Sequence, residues 1–185
     1  MAHSWHRRSG LKQIRWTRQD DTEPIDVGRR VGLGVAKGLF AGACGVAVMT
    51  LGEKVEQRLT GRPDSYMPAH TLERLLGRPQ SPDSERHLMN LGMHTGQAIL
   101  LGAWRGVMAE GGLRGPRASA AFTVIRLSLD QTLENVTGQG APPWTWPRRE
   151  LVVDVLHKAV YAFVTGAVAD ALATNPPSWQ AARQH

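Results

Sequence analysis

Cysteine is almost missing from this 185-residue chain: Cys44 stands alone, so no disulfide can close within it and no zinc site can rest on thiolates. Cys44 lies in a Gly/Ala run and reads as a small buried hydrophobe. Bulky apolar content is also low. Hydrophobic residues make up 42% and aromatics 6%, and mean hydropathy is −0.28, a composition that by itself argues against a membrane protein. Catalytic signatures are lacking too: there is no nucleophile elbow, phosphate-binding loop, kinase motif or ordered Ser/His/Asp set. The expectation is therefore not an enzyme, with no cofactor. Net charge is +6 and the isoelectric point is near 10.2, but the arginines are spread over tail and loops with no reader motif, so no nucleic-acid partner is expected.

What the chain has in excess is glycine. Twenty of 185 residues exceed the usual ~7%, and the surplus sits inside apolar segments. The first segment, Val31 to Gly52, carries only Lys37 as a charge and is long enough for a bilayer core of ~30 Å at ~1.5 Å per residue. Its glycines, at ~1 kcal/mol each relative to Ala, would cost a water-soluble helix roughly 5 kcal/mol. Between membrane helices they serve packing. Gly34, Gly38 and Gly42 recur every fourth position and form a flat groove for a neighbour. Gly32 and Gly34 do not make a dinucleotide fingerprint, because Lys37 takes the third glycine position and no strand pattern precedes it. Ala41-Gly42-Ala43-Cys44 resembles a lipoprotein cleavage box, but the long polar stretch ahead of it makes an implausible leader.

The second segment, His87 to Trp104, repeats the small spacing at Gly92/Gly96 and Gly102/Gly106. The third, Ser119 to Thr137, carries Arg126, Asp130 and Glu134, each costing ~2.5–3.5 kcal/mol at mid-bilayer. It crosses only if these groups face other helices. Their i, i+4, i+8 spacing puts them on one stripe and lets Arg126 pair with Asp130. The fourth, Glu150 to Thr174, follows a turn in which Trp144 and Trp146 precede Arg148 and Arg149, the pattern of a headgroup layer. Between the first two segments, Thr71 to Leu76 reads as a short helix with Thr71 as N-cap and Leu72, Leu75 and Leu76 on one side.

The sequence thus predicts an all-α, four-helix transmembrane bundle. Residues 1–30 form a basic N-terminal tail or interfacial helix, 31–175 the four-helix membrane domain and 176–185 a C-terminal tail. The expected site is a multi-pass position in a bacterial inner membrane, with the lipid bilayer as partner and a second copy or a membrane subunit as further candidates. Arginines in residues 1–30 favour a cytoplasmic start, although Arg58, Arg62, Arg74, Arg78 and Arg86 then fall on the outer side.

The pieces "GLFAGACGVAVMTLGEKVEQRLTGRPDSYMPAHTLERLLG", "NLGMHTGQAILLGAWRGVMAEGGLRGP" and "PPWTWPRRELVVDVLHKAVYAFVTG" resemble the YagU-like group of small bacterial inner-membrane proteins over about residues 30–170. The Pro-Pro-Trp-x-Trp-Pro turn and the Asp154-x-x-His157-x-x-x-Tyr161 spacing carry the likeness most specifically. It implies four membrane helices and no established activity.

Each apolar segment brings polar groups at helical spacing, and in a bundle these converge, since leaving them in lipid is expensive. The candidates for a polar interior are His94, Arg105, Arg126, Asp130, Glu134, Asp154, His157 and Tyr161, with Glu53 and Glu56 closing the first helix. They serve either a structural ion-pair network in a protein of structural or accessory kind, or a pathway for a proton, ion or small solute in which His94 and His157 relay protons. A metal or redox site is weaker, because the di-iron pattern needs two Glu-x-x-His elements and only Asp154-x-x-His157 is present. A soluble helical bundle is the remaining alternative.

Overall fold

The computed structural model describes residues 27–80, 82–83 and 86–174; the basic tail with Trp5 and Trp16 and the segment after Thr174 lie outside the described residues. These fold into five helices, α1 (Val27–Thr60), α2 (Met67–Leu75), α3 (His87–Glu110), α4 (Pro116–Val136) and α5 (Arg148–Leu172), with a 3-10 turn at Pro143–Thr145 and no strand among the described residues. Two helices, α1 and α5, are long and apolar enough to cross a membrane. α3 and α4, at 24 and 21 residues, reach about 36 and 32 Å. His94, Gln97 and Arg105 in one, and Arg126, Asp130 and Glu134 in the other, keep their hydropathy below that of α1 and α5.

Helix ends follow from glycine and proline. α1 runs past Gly52 until Gly61, which adopts φ +71° and donates its N–H to the Gln57 carbonyl at 2.9 Å. The α3–α4 turn uses positive φ at Gly112 and Gly115 (+88° and +82°), and Pro116 then opens α4, where a missing N–H costs nothing. α2 begins earlier than the sequence suggested, with Tyr66 rather than Thr71 as N-cap, because Pro68 fits the first turn. Its buried side is also different: Ala69, Thr71 and Glu73 face inward, while Leu75 and Leu76 are exposed. Glu73 turns inward to meet Arg86, 3.2 Å away and equally buried.

The long helices alternate in direction. Gly34 of α1 meets Val107 of α3 and Gly42 meets Ala98, so the two run antiparallel. α5 is antiparallel to α1, with Gly45 against Tyr161 and Thr165, and to α4, with Ser119 against Gly166 and Asp130 against Lys158. The α1–α3 seam is nearly all backbone. A methyl group on Gly102 would fall 2.5 Å from the Gly42 Cα, one on Gly106 2.5 Å from the Gly38 Cα, and one on Gly34 2.9 Å from the Val107 Cα. Gly92 and Gly96, expected to pack a helix, do not: nothing lies within 4 Å of a Cβ at either. The antiparallel register explains this. The α1 glycines stand at positions 34–42, so their partners fall at 98–107 of α3, and Gly92 and Gly96 lie further along, beside a groove left between α3 and α4. The apolar core is made of Val46, Met49, Ala98, Phe122, Tyr161 and Ala162.

Candidate functional site

At the end of the bundle where α1 stops and α3 starts, the helices spread around a cleft of ≈ 960 Å³. Its mouth is the loop after α1, from Arg62 to Met67, and its floor includes Gln97, Arg126 and Lys158. The long helices reach it with their polar stripes. α1 brings Glu53, α3 brings His94 and Gln97, α4 brings Arg126, Asp130 and Glu134, and α5 brings Asp154, His157 and Lys158.

The floor is a linked set of charges. Asp130 is its centre, nearly fully buried: Oδ2 lies 2.9 Å from Arg126 Nε and 3.4 Å from Lys158 Nζ, and Oδ1 accepts from Gln97 Nε2 at 2.8 Å. Lys158 also donates to Asp154 Oδ2 at 2.9 Å, so two cations and two carboxylates balance. The Arg126 guanidinium stands 5.2 Å from the centre of the Tyr161 ring, within cation–π range. Tyr161 is fully buried; its hydroxyl donates to the Ala98 carbonyl at 2.5 Å, and its ring lies 5.9 Å from that of Phe122. Three buried polar atoms around the cleft, Arg126 Nη1, His94 Nε2 and Thr71 Oγ1, find no hydrogen-bond partner among the described residues. Glu134 and His157 line the wall half-buried, and Glu134 Oε2 accepts a long 3.5 Å bond from Gln131 Nε2. At the mouth, Arg62 reaches Glu56 at 2.9 Å and Lys54 pairs with Asp64. The hydrogen bond from Lys54 holds the Asp64 carboxyl below its ordinary range.

Arg105 belongs elsewhere. It lies eight residues beyond Gln97, about 12 Å along α3, and is fully buried at the opposite end of the bundle. There it donates to Asp170 Oδ1 at 2.7 Å, while Asp170 Oδ2 accepts the Gly115 N–H at 2.8 Å. The sequence grouped Arg105 with the other polar-interior candidates; the structure separates it from them and pairs it with Asp170. Beside it, Lys37 donates to Glu110 at 2.6 Å, and Glu110 also takes the Thr174 N–H. Together these tie the start of α1 and the end of α5 to the α3–α4 turn.

Compared with protein-family models, curated proteins and solved structures, the chain matches none. Its chemistry therefore rests on its own residues.

Among the described residues, no three His, Cys, Asp or Glu side chains gather closely enough to hold a metal ion. Asp154 and His157 share a helix and a cleft wall without a third such group beside them. Asp170 and Glu110 were missed from sequence, though a signal existed. Each is a carboxylate in the last turn of a helix, where it opposes the helix dipole and is favoured only if a cation meets it.

Proposed function

We propose that this chain is a multi-pass inner-membrane protein whose four long helices cross the bilayer and enclose a polar cleft that receives a proton, an ion or a small polar solute. The observation carrying this reading is an inverted distribution of polarity. Leu88, Leu100 and Val136 are 86%, 70% and 80% exposed, while Arg105, Arg126 and Asp130 are 0%, 3% and 5% exposed. In water this would be doubly unfavourable; in hydrocarbon it is the expected arrangement. Only 33% and 28% of the apolar windows of α1 and α5 is buried, whereas the core helix of a soluble protein is mostly buried. α3 and α4 fit the proposal because their charges face α5 and the cleft rather than the outside.

Retention of the protein in membranes after alkaline carbonate is the first expected result; release would end the proposal. For the cleft, purified protein is placed in liposomes loaded with a pH-sensitive dye. His94→Ala or His157→Ala should abolish a proton flux that the parent supports, and a parent without flux removes the pathway. A structural or accessory role is the second reading, favoured by the pairing of Arg105, Lys37 and Lys158 with carboxylates. It predicts that the same His variants leave every transport readout untouched.

A further inference from the structure

Exposed arginines gather at the end of the bundle that carries the cleft mouth. Arg58 stands in the last turn of α1, Arg74 in the last turn of α2, Arg78 shortly after it, and Arg148 and Arg149 open α5. Contacts bring these segments to one end. The cleft lining joins Lys54 and Arg62 to Pro147 and Glu150, Glu73 of α2 meets Arg86 just before α3, and Gln80 Nε2 donates to Gln139 Oε1 in the α4–α5 turn at 2.8 Å. Three cations there are paired: Lys54 with Asp64, Arg62 with Glu56 and Arg86 with Glu73. The guanidinium groups of Arg58, Arg74, Arg78, Arg148 and Arg149 are exposed and have no hydrogen bond or ion pair among the described residues.

Bare apolar side chains alternate with these arginines. Leu59 is 82% exposed next to Arg58, Leu75 and Leu76 are exposed next to Arg74, and Trp144 is 84% exposed in the turn before Arg148. That turn aims its two tryptophans apart. Trp146 donates its Nε1–H to the Ala141 carbonyl at 2.8 Å and lines the cleft, while Trp144 stands outward.

We propose that this rim binds anionic phospholipid, its five free guanidinium groups on the lipid phosphates and its leucines and Trp144 among the upper acyl chains. Two observations select this partner. Unpaired arginines call for an anion, and the guanidinium fork meets phosphate through two parallel N–H bonds. The aliphatic side chains beside them call for a partner that turns apolar within a side chain's length of its anionic surface. A phospholipid leaflet does so; a nucleic acid or a free phosphate does not. On this reading α2 is an interfacial helix, with Ala69, Thr71 and Glu73 toward the bundle and Arg74, Leu75 and Leu76 toward lipid. The inference rests on the membrane reading and adds a lipid class to it, without requiring any flux through the cleft.

The test reconstitutes the full chain in phosphatidylcholine vesicles holding a minor fraction of phosphatidylglycerol, with quenching of tryptophan fluorescence as readout. In one preparation the phosphatidylglycerol is brominated near the top of its chains; in the other an equal fraction of the phosphatidylcholine is. Brominated phosphatidylglycerol should quench more, by a preference of at least about fivefold, the effect of one arginine at an anionic surface. High salt should weaken the preference. The combined variant Arg58→Gln, Arg74→Gln, Arg78→Gln, Arg148→Gln and Arg149→Gln should bring the two lipids close to parity and still fold, because all five side chains are exposed. Arg30→Gln with Arg117→Gln, exposed at the opposite end, should leave the preference as it is. Equal quenching by the two lipids in the wild type, a preference that survives the combined variant, or one displaced by equimolar inorganic phosphate or by an equal charge of DNA duplex would overturn the proposal. Failure of the membrane reading shows separately, as release of the protein by carbonate.

Discussion

Replacing Gly102 by alanine should loosen the bundle, whereas the same change at Gly96, six residues earlier on the same helix, should tighten it. A methyl on Gly102 meets the Gly42 Cα at 2.5 Å and the Gly42 nitrogen at 2.8 Å. Both are backbone atoms, so no rotamer change relieves the contact, and α1 and α3 must separate by roughly 1 Å to reach ordinary carbon–carbon distance. Overpacking of this kind costs ~1–3 kcal/mol. Removing a helical glycine returns up to ~1 kcal/mol, so Gly102→Ala should lose about 1–2 kcal/mol net. At Gly96 nothing stands within 4 Å, so only the gain remains. For a chain of this size a kcal/mol moves the melting temperature by ~2–4 °C. Gly102→Ala should therefore fall about 2–8 °C and Gly96→Ala rise by up to about 4 °C. Cys44, the chain's one thiol, reports unfolding through reaction with a fluorogenic maleimide in detergent. If both variants shift in the same direction, the glycine seam is not where α1 and α3 meet.

Asp170→Asn should cost about 2–4 kcal/mol, because it strands the fully buried Arg105 beside a side chain that is itself one-fifth exposed; Arg105→Met with Asp170→Met should recover much of that loss in the same melting assay. Tyr161→Phe removes the buried bond to the Ala98 carbonyl and should cost about 1 kcal/mol, with no gain on further substitutions at the cleft mouth. Since the hydrogen bond from Lys54 lowers the Asp64 carboxyl below the ordinary aspartate range, Asp64 contributes stability at pH values above that range and loses it as pH falls through the lowered folded-state value; a melting series across pH 5 to 2 in wild type and Asp64→Asn should differ only in that acidic window, and only slightly because the group is largely exposed. On the proposed topology, a periplasm-active reporter fused after Thr137 should give a mixed signal when α5 is deleted and a single-sided one when α5 is present, since three charges at ~2.5–3.5 kcal/mol each hold α4 out of lipid until Lys158 and Tyr161 arrive. A single-sided signal without α5 would contradict that dependence.

The elements were legible where local chemistry decides them. The four long helices follow from apolar runs bounded by glycine and proline, and the one-turn spacing of Arg126 and Asp130 sets their pair, because a helix allows little choice at i, i+4. The partner of Arg105 was not legible, because it depends on register between α3 and α5, which parallel packing through Ala98–Tyr161 sets and composition does not. The same holds for the glycines. Spacing makes Gly92/Gly96 and Gly102/Gly106 equivalent, and only the antiparallel offset of α1 separates the pair that packs from the pair that lines a groove. For α2, the leucine spacing misled because a buried ion pair, Glu73 with Arg86, outweighed an apolar face too short to hold a helix in place by itself.

The division of labour among the helices explains why the whole-chain hydropathy is so low for the proposed setting. α1 and α5 carry the apolar surface and are long and apolar enough to cross a membrane. α3 and α4 carry charges that are tolerable only against those two. α4 touches α5 through Phe122, Arg126 and Asp130, and α3 is held to α1 by glycine backbone and to α5 by Arg105. Neither α3 nor α4 is held firmly to the other, and the groove between them is the result. The weakness is specific: it falls where α3 presents Gly92 and Gly96 and α4 presents Leu129 and Val136. Evenly distributed packing would close this gap with larger side chains at little cost.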